Sequence, residues 1–215
     1  MVKLIYLHRL KNVFFMKKVI LSALTLGMFT MGFSQIEPLE IGASMPKTEV
    51  KMKDISGREV SLKEVAGANG TLVMFSCNTC PYVEKNEERT RAVLAYAQSK
   101  QVGVIVLNSN EAYRDKDDSF EAMKAYAQKN NYAWPYAVDK NHVIADAFGA
   151  SRTPEVFLFD KNNKLVYHGA IDDSPANAAA VKRMHLKEAI TEMTSGNEVQ
   201  VKKSKSIGCS IKRLS

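Results

Sequence analysis

Cys77 and Cys80 stand three positions apart in the run Cys77-Asn78-Thr79-Cys80-Pro81. Two thiols at that spacing can close into a small disulfide ring and reopen, so the chemistry they suggest is thiol–disulfide exchange. As a structural staple the pair has little value, because closing so short a loop removes little chain entropy. The reactive species is the thiolate, and the surroundings of each sulfur set how much of it exists. A third cysteine, Cys209, lies among Lys202, Lys203, Lys205, Lys212 and Arg213. Basic neighbours lower a thiol pKa. If this tail folds back, Cys209 is a candidate to resolve a mixed disulfide at Cys80. Otherwise it is an inert thiol or a bystander in a solvated tail.

The elements around the pair have a clear order. Residues 71–75 (Thr-Leu-Val-Met-Phe) read as a strand and residues 81–99 as a helix, which places the dithiol at a strand–helix junction. A helix beginning there aims unpaired N–H groups and a partial positive charge at sulfur. Pro81 suits the first helical turn, which would make Cys80 the N-cap. Residues 102–107 form a second, wholly apolar strand of the kind covered on both faces. A helix is expected over 119–130 and a short strand over 136–138. Another helix is expected over 142–148, with Asn141 as its cap and Gly149 as its stop. Residues 156–159 and 165–167 flank Asn162-Asn163 and predict an antiparallel hairpin. A smaller hairpin is expected over 54–60, turning at Ser56-Gly57. Leu186, Ala189, Ile190 and Met193 form a helical stripe that ends at Ser195-Gly196. This alternation predicts one α/β domain: a central mixed sheet, helices on both faces and a terminal antiparallel hairpin.

Arg152-Thr153-Pro154 precedes that hairpin. Proline cannot donate to a sheet, so it belongs at a strand start or an edge, and X–Pro bonds are the ones with ready access to cis. Thr153 and Pro154 are therefore candidate substrate-binding residues, with backbone free to pair with an extended substrate chain.

The formal charge of +7 is unevenly placed. Residues 1–34 carry five basic residues and no acid, leaving 25 basic against 23 acidic residues in the remainder. Nucleic acid is thus not an expected partner. Met16-Lys17-Lys18, the uncharged apolar stretch 19–33 and Gly32-Phe33-Ser34 read as a signal peptide. Residues 1–15 fit that plan badly, so Met16 is the expected start and Gln35 the mature N-terminus. The apolar stretch is short for a membrane span, yet an uncleaved leader would serve as a membrane anchor. The expected organisation is a leader over 1–34, a domain over 35–200 and a basic tail over 201–215 carrying Cys209. The expected location is outside the cytoplasm, in a periplasm.

With these residues in place, the chain resembles the thioredoxin-like superfamily, and within it the redoxin branch grouped with alkyl hydroperoxide reductase and thiol-specific antioxidant proteins. The resemblance spans residues 41–213. It is carried by Cys77-Asn78-Thr79-Cys80-Pro81-Tyr82-Val83, Leu107-Asn108-Ser109-Asn110, Trp134-Pro135-Tyr136, Phe148-Gly149-Ala150-Ser151-Arg152-Thr153-Pro154, Phe157-Leu158-Phe159-Asp160 and Gly208-Cys209-Ser210-Ile211-Lys212-Arg213. It implies a thioredoxin-like fold, a dithiol site at Cys77 and Cys80, and Pro154 as a facing cis-proline. Two departures stand out. The spacer Asn78-Thr79 and the preceding Ser76 differ from the Gly-Pro spacer and tryptophan of thioredoxins proper. The Pro-x-x-x-Thr/Ser-x-x-Cys pattern of peroxiredoxins is not met by counting back from either cysteine.

The expected activity is thiol–disulfide oxidoreduction with no bound cofactor. The expected partners are protein or small-molecule thiols and disulfides, and a separate electron donor. One alternative is a thiol-dependent peroxidase acting on peroxides. Another is a metal-binding or copper-delivery module, although His142, His168 and His185 show no ligand spacing and no metal site is expected. Tyr82, Trp134 and Tyr136 either rim the site or belong to the core. Asp139 and Glu155 are proton acceptors if buried near sulfur, and surface groups otherwise. Which of Cys77 and Cys80 attacks stays open at this level.

Overall fold

The computed structural model describes residues 37–214; the leader reading of residues 1–34 lies outside them. The principal strands are β3 (Thr71–Ser76), β4 (Gly103–Asn108), β5 (Tyr136–Val138), β7 (Glu155–Phe159) and β8 (Leu165–Gly169). They form one sheet in the order β5-β4-β3-β7-β8. Strands β3, β4 and β5 run parallel, while β7 and β8 add antiparallel pairs on the other side of β3. Four two-residue strands lie outside this sheet. β1 (Met52–Lys53) pairs with β2 (Glu59–Val60), and β6 (Arg152–Thr153) pairs with β9 (Cys209–Ser210).

The sheet is covered on both faces, which explains why its inner strands are apolar throughout. Along β3 the side chains alternate. Leu72 and Met74 face a cluster with Val93, Leu94 and Ala97 of α1 (Pro81–Ser99), Met123 of α2 (Phe120–Lys129), and Leu186 and Ile190 of α4 (His185–Thr194). Val73 and Phe75 face the opposite cluster with Ile144 and Phe148 of α3 (Val143–Phe148). There Phe75, Phe148 and Phe157 meet edge-on at centroid distances of 5.3–5.7 Å, a geometry that contributes beyond burial alone. The predicted α/β architecture holds, with three helices on one face and one on the other.

One local expectation fails. Asn141 does not cap α3; it and His142 adopt left-handed backbone, φ 55° and 49°. Asp139 takes that role, its carboxylate accepting the N–H groups of Ile144 and Ala145 at 2.9 Å each. The two residues 141 and 142 make a tight turn into the helix, so the cap sits farther upstream than simple spacing suggests.

The last residues pack on the domain. Ser204 Oγ accepts the Ala170 N–H, Ile211 is buried in the second cluster, and Arg213 pairs with Asp146.

Candidate functional site

Strand β3 ends at Ser76 and α1 begins at Pro81, so the dithiol occupies the junction between them. Cys80 is the N-cap of α1, with extended backbone, and Pro81 opens the helix. Proline is favoured there because the first helical N–H groups have no partner to lose. Of the N–H groups that follow, that of Val83 acts on the Cys80 sulfur, and that of Glu84 is taken by the Cys80 carbonyl at 3.1 Å. An anion at such a helix end gains about 0.3–1 kcal/mol, more when partly buried.

The structure brings all five predicted site residues together. Cys77 Sγ lies 3.2 Å from Thr153 Oγ1. Cys80 Sγ lies 3.2 Å from the Thr153 carbonyl oxygen, which accepts the S–H when Cys80 is protonated. The Thr153–Pro154 bond is cis. Cys209 Sγ is 2.7 Å from Cys80 Sγ, closer than unbonded sulfurs normally approach and longer than the ~2.05 Å of a disulfide. All three thiols are free. Cys77 and Cys80 are 2% and 3% exposed, whereas Cys209 is half-buried.

The sulfurs are electrostatically unequal. The hydrogen bond from Cys77 holds the Cys80 thiol well below its ordinary pKa; those from Cys209 and the Val83 backbone add to this against the cost of burial. Cys77 is pushed the other way, first by sharing its proton with Cys80 and then by burial, with Asp118 adding negative charge nearby. Burial also raises Cys209, to about 11, with the neighbouring Cys80 charge acting in the same direction. One thiolate, on Cys80, held by two protonated thiols is the consistent reading of the trio.

A second layer fixes the loop between the cysteines. Asp118 is fully buried and accepts the Asn78 N–H at 2.9 Å, the Asn108 side-chain amide at 2.7 Å and the Asn110 amide at 2.8 Å. Tyr136 donates its hydroxyl to Asn78 Oδ1 at 2.9 Å and accepts from Asn108 at 3.0 Å. Sequence reasoning missed Asp118 altogether. The available signal was the polar run Asn108-Ser109-Asn110 at the end of an apolar strand, since buried polar side chains at a strand terminus need partners.

The remaining candidates resolve as follows. Trp134 and Tyr136 belong to the core, while Tyr82 is half-buried against the cysteines. Asp139 and Glu155 are both buried, but neither bonds a sulfur. Asp139 caps α3 and takes the Ser109 hydroxyl, while Glu155 accepts the Ser151 and Arg152 N–H groups and pairs with His168 at 2.7 Å. Among the described residues no cluster of three or more His, Cys, Asp or Glu is placed to hold a metal ion, and no helix is long and apolar enough to cross a membrane.

The AhpC/TSA family matches residues 41–168, more than half of the sequence. The chain belongs to the AhpC/TSA family. The match takes in Cys77, Cys80 and Pro154 and ends well before Cys209. An uncharacterized conserved protein from Geobacillus kaustophilus superposes with a TM-score of 0.76 at 33% identity, over 81% of this AhpC/TSA chain and 93% of its own. Thiol-disulfide oxidoreductase ResA of Geobacillus thermodenitrificans (strain NG80-2) is 22% identical over 147 residues, 68% of this chain and 79% of that protein. The thioredoxin domain of a thiol-disulfide oxidoreductase from Bacteroides vulgatus matches the fold with a TM-score of 0.52 at 19% identity, over 66% of this chain and 96% of that one. The fold of this family member is therefore thioredoxin-like.

Proposed function

We propose that this protein is an exported thiol–disulfide oxidoreductase in which Cys80 is the attacking thiolate and Cys77 its partner. The observation that carries the reading is the position of Cys80 as N-cap of α1, hydrogen-bonded by a second thiol three residues back. The similarity to ResA, named a thiol-disulfide oxidoreductase, points to the same reaction class.

In this reaction Cys80 attacks one sulfur of a substrate disulfide, and the other substrate sulfur leaves as a thiol. Cys77 then attacks Cys80, releases the second substrate thiol and closes the Cys77–Cys80 disulfide. A separate electron donor restores the dithiol. Thr153 assists the second step through its hydroxyl on Cys77. Its carbonyl, 3.2 Å from Cys80 Sγ, accepts the S–H of the protonated Cys80, and Pro154 follows it through the cis bond beside the sulfurs. Thr153 and Pro154 lie beside the sulfurs as candidate substrate-binding residues, but the Thr153 backbone expected to be free is buried and paired with Cys209 of β9. Mixing the reduced protein with a disulfide and mapping its cysteines by mass spectrometry tests the reading. Cys77–Cys80 should be the final bridge, and Cys80→Ser should abolish turnover; turnover retained by that variant would overturn it.

Membership of the AhpC/TSA family favours one second reading, a thiol-dependent peroxidase. Stopped-flow oxidation separates the two, because a peroxidase reacts faster with peroxide than with any disulfide. Export rests on the leader pattern of residues 1–34, and a mature N-terminus at Gln35 is the outcome that supports it.

A further inference from the structure

The backbone edge at Thr153 borders both active-site sulfurs, and it is already taken. Strand β9 pairs with it antiparallel, Cys209 opposite Thr153 and Ser210 opposite Arg152. The approach is so close that a Cβ on Gly208 would stand 2.0 Å from the Thr153 carbonyl oxygen, so only glycine lets β9 seat. Residues beyond β9 hold it down. The Ile211 N–H bonds Ser151 O at 3.0 Å, the Lys212 N–H bonds Asn110 Oδ1 at 2.8 Å, and the Arg213 guanidinium reaches Asp146 and the Ala150 carbonyl. The result is an extended segment paired beside the nucleophile with its own cysteine sulfur 2.7 Å from Cys80. A polypeptide disulfide would have to present itself in the same way, adding a strand to this edge and aiming one sulfur at Cys80.

We propose that β9 is a tethered substrate mimic: Cys209 exchanges disulfides with Cys80, and the docked strand bars polypeptide disulfides while leaving small disulfides as substrates. The inference rests on the dithiol reading above and adds a step to it. The Cys80 thiolate attacks a disulfide R–S–S–R′, forming Cys80–S–S–R and expelling R′–S⁻, which takes a proton. Cys209 gives up its proton and attacks the Cys80 sulfur, breaking the Cys80–SR bond and expelling R–S⁻. Cys77 then loses its proton and attacks Cys80, expelling Cys209 as a thiolate that is reprotonated. The net change is two protein thiols oxidised to Cys77–Cys80 and one external disulfide reduced to two thiols. Because Cys209 is already in contact with Cys80, it can displace R before R escapes or rearranges.

The test has two arms. In Cys77→Ser, reduced protein is treated with oxidised glutathione and its cysteines are mapped. A Cys80–Cys209 bridge without retained glutathione is expected, and Cys77→Ser/Cys209→Ser should instead keep glutathione on Cys80. Glutathione retained on Cys80 in Cys77→Ser overturns the inference alone, whereas a Cys80 that never reacts overturns the dithiol reading beneath it. In the second arm Gly208→Ala, which must push β9 off Thr153, is compared with the unmodified protein in reducing insulin and oxidised glutathione. The insulin rate should rise and its ratio to the glutathione rate should rise at least tenfold, the glutathione rate itself falling because Cys209 leaves Cys80 together with β9. Ser210→Pro, at an exposed position of the same strand, lifts β9 by a second route should Gly208→Ala not fold. An insulin rate unmoved by the folded variant overturns the proposal.

Discussion

The sulfurs of Cys80 and Cys209 lie 2.7 Å apart although the residues are 129 positions apart in the chain. Cys209 reaches this position through β9, and there it adds a hydrogen bond that favours the Cys80 thiolate. Removing only that hydrogen bond should therefore be visible. Cys209→Ala should raise the apparent pKa of Cys80 by about one pH unit, the scale of one hydrogen bond to a charged group. Cys209→Ser, which keeps a donor, should stay nearer the unmodified protein. The pH dependence of Cys80 alkylation, read by mass spectrometry, checks both.

Thr153 bears on the second half of the reaction. Its hydroxyl, 3.2 Å from Cys77 Sγ, favours the Cys77 thiolate that must attack Cys80. Thr153→Val keeps the shape and removes the hydroxyl. Loss of about 1 kcal/mol of stabilisation slows that step roughly fivefold. Rapid-quench measurement of mixed-disulfide decay should show the slowing, with the first attack by Cys80 little changed.

Asp118 holds the loop between the cysteines by accepting three donors in a fully buried position. Asp118→Ala strands those donors away from water. The expected cost is about 3 kcal/mol of stability, measurable as a lowered urea midpoint with an unchanged slope. Faster alkylation of Cys77 in the folded variant should accompany it, because the loop loses its anchor and Cys77 loses a nearby negative charge.

Asp139 gives a contrast with no chemistry in it. It caps α3 with two N–H bonds and takes the Ser109 hydroxyl. Asp139→Ala should cost about 1–2 kcal/mol and leave the Cys80 pH profile in place. A profile that moves with this variant would link the α3 end of the sheet to the sulfurs, which the bonding pattern does not.

The architecture was legible wherever a local rule spoke clearly. Apolar residues 71–75 form most of β3, the helix from Pro81 to Ser99 has the bounds its pattern implies, and Gly149 stops α3 with φ 67°. Proline after Cys80 located the helix start, and hence the sulfur at its tip. The rest depends on partners distant in sequence. A two-residue strand such as β9 is too short to show a period of two, so its pairing with Thr153 leaves no trace in the local pattern. Asp118 sits in a charged stretch, Arg114-Asp115-Lys116-Asp117-Asp118, that reads as solvated surface. What buries it is the convergence of Asn78, Asn108 and Asn110, brought together only by the parallel pairing of β3 with β4. The cap of α3 was misassigned for a related reason: residues 141 and 142 turn through left-handed backbone, which moves the capping carboxylate back to Asp139.

The central claim is that Cys80, at the tip of α1, is the thiolate of a dithiol whose other member stays protonated. Site-resolved alkylation of the fully reduced protein across a pH series tests it most directly. The account predicts that Cys80 remains reactive well below the ordinary thiol pKa and loses reactivity only on further acidification, because a lowered pKa keeps the thiolate populated as pH falls. Cys77 should stay unreactive until far more alkaline pH. Cys77 reacting first, or Cys80 titrating at the ordinary thiol value of about 8.5, would contradict it.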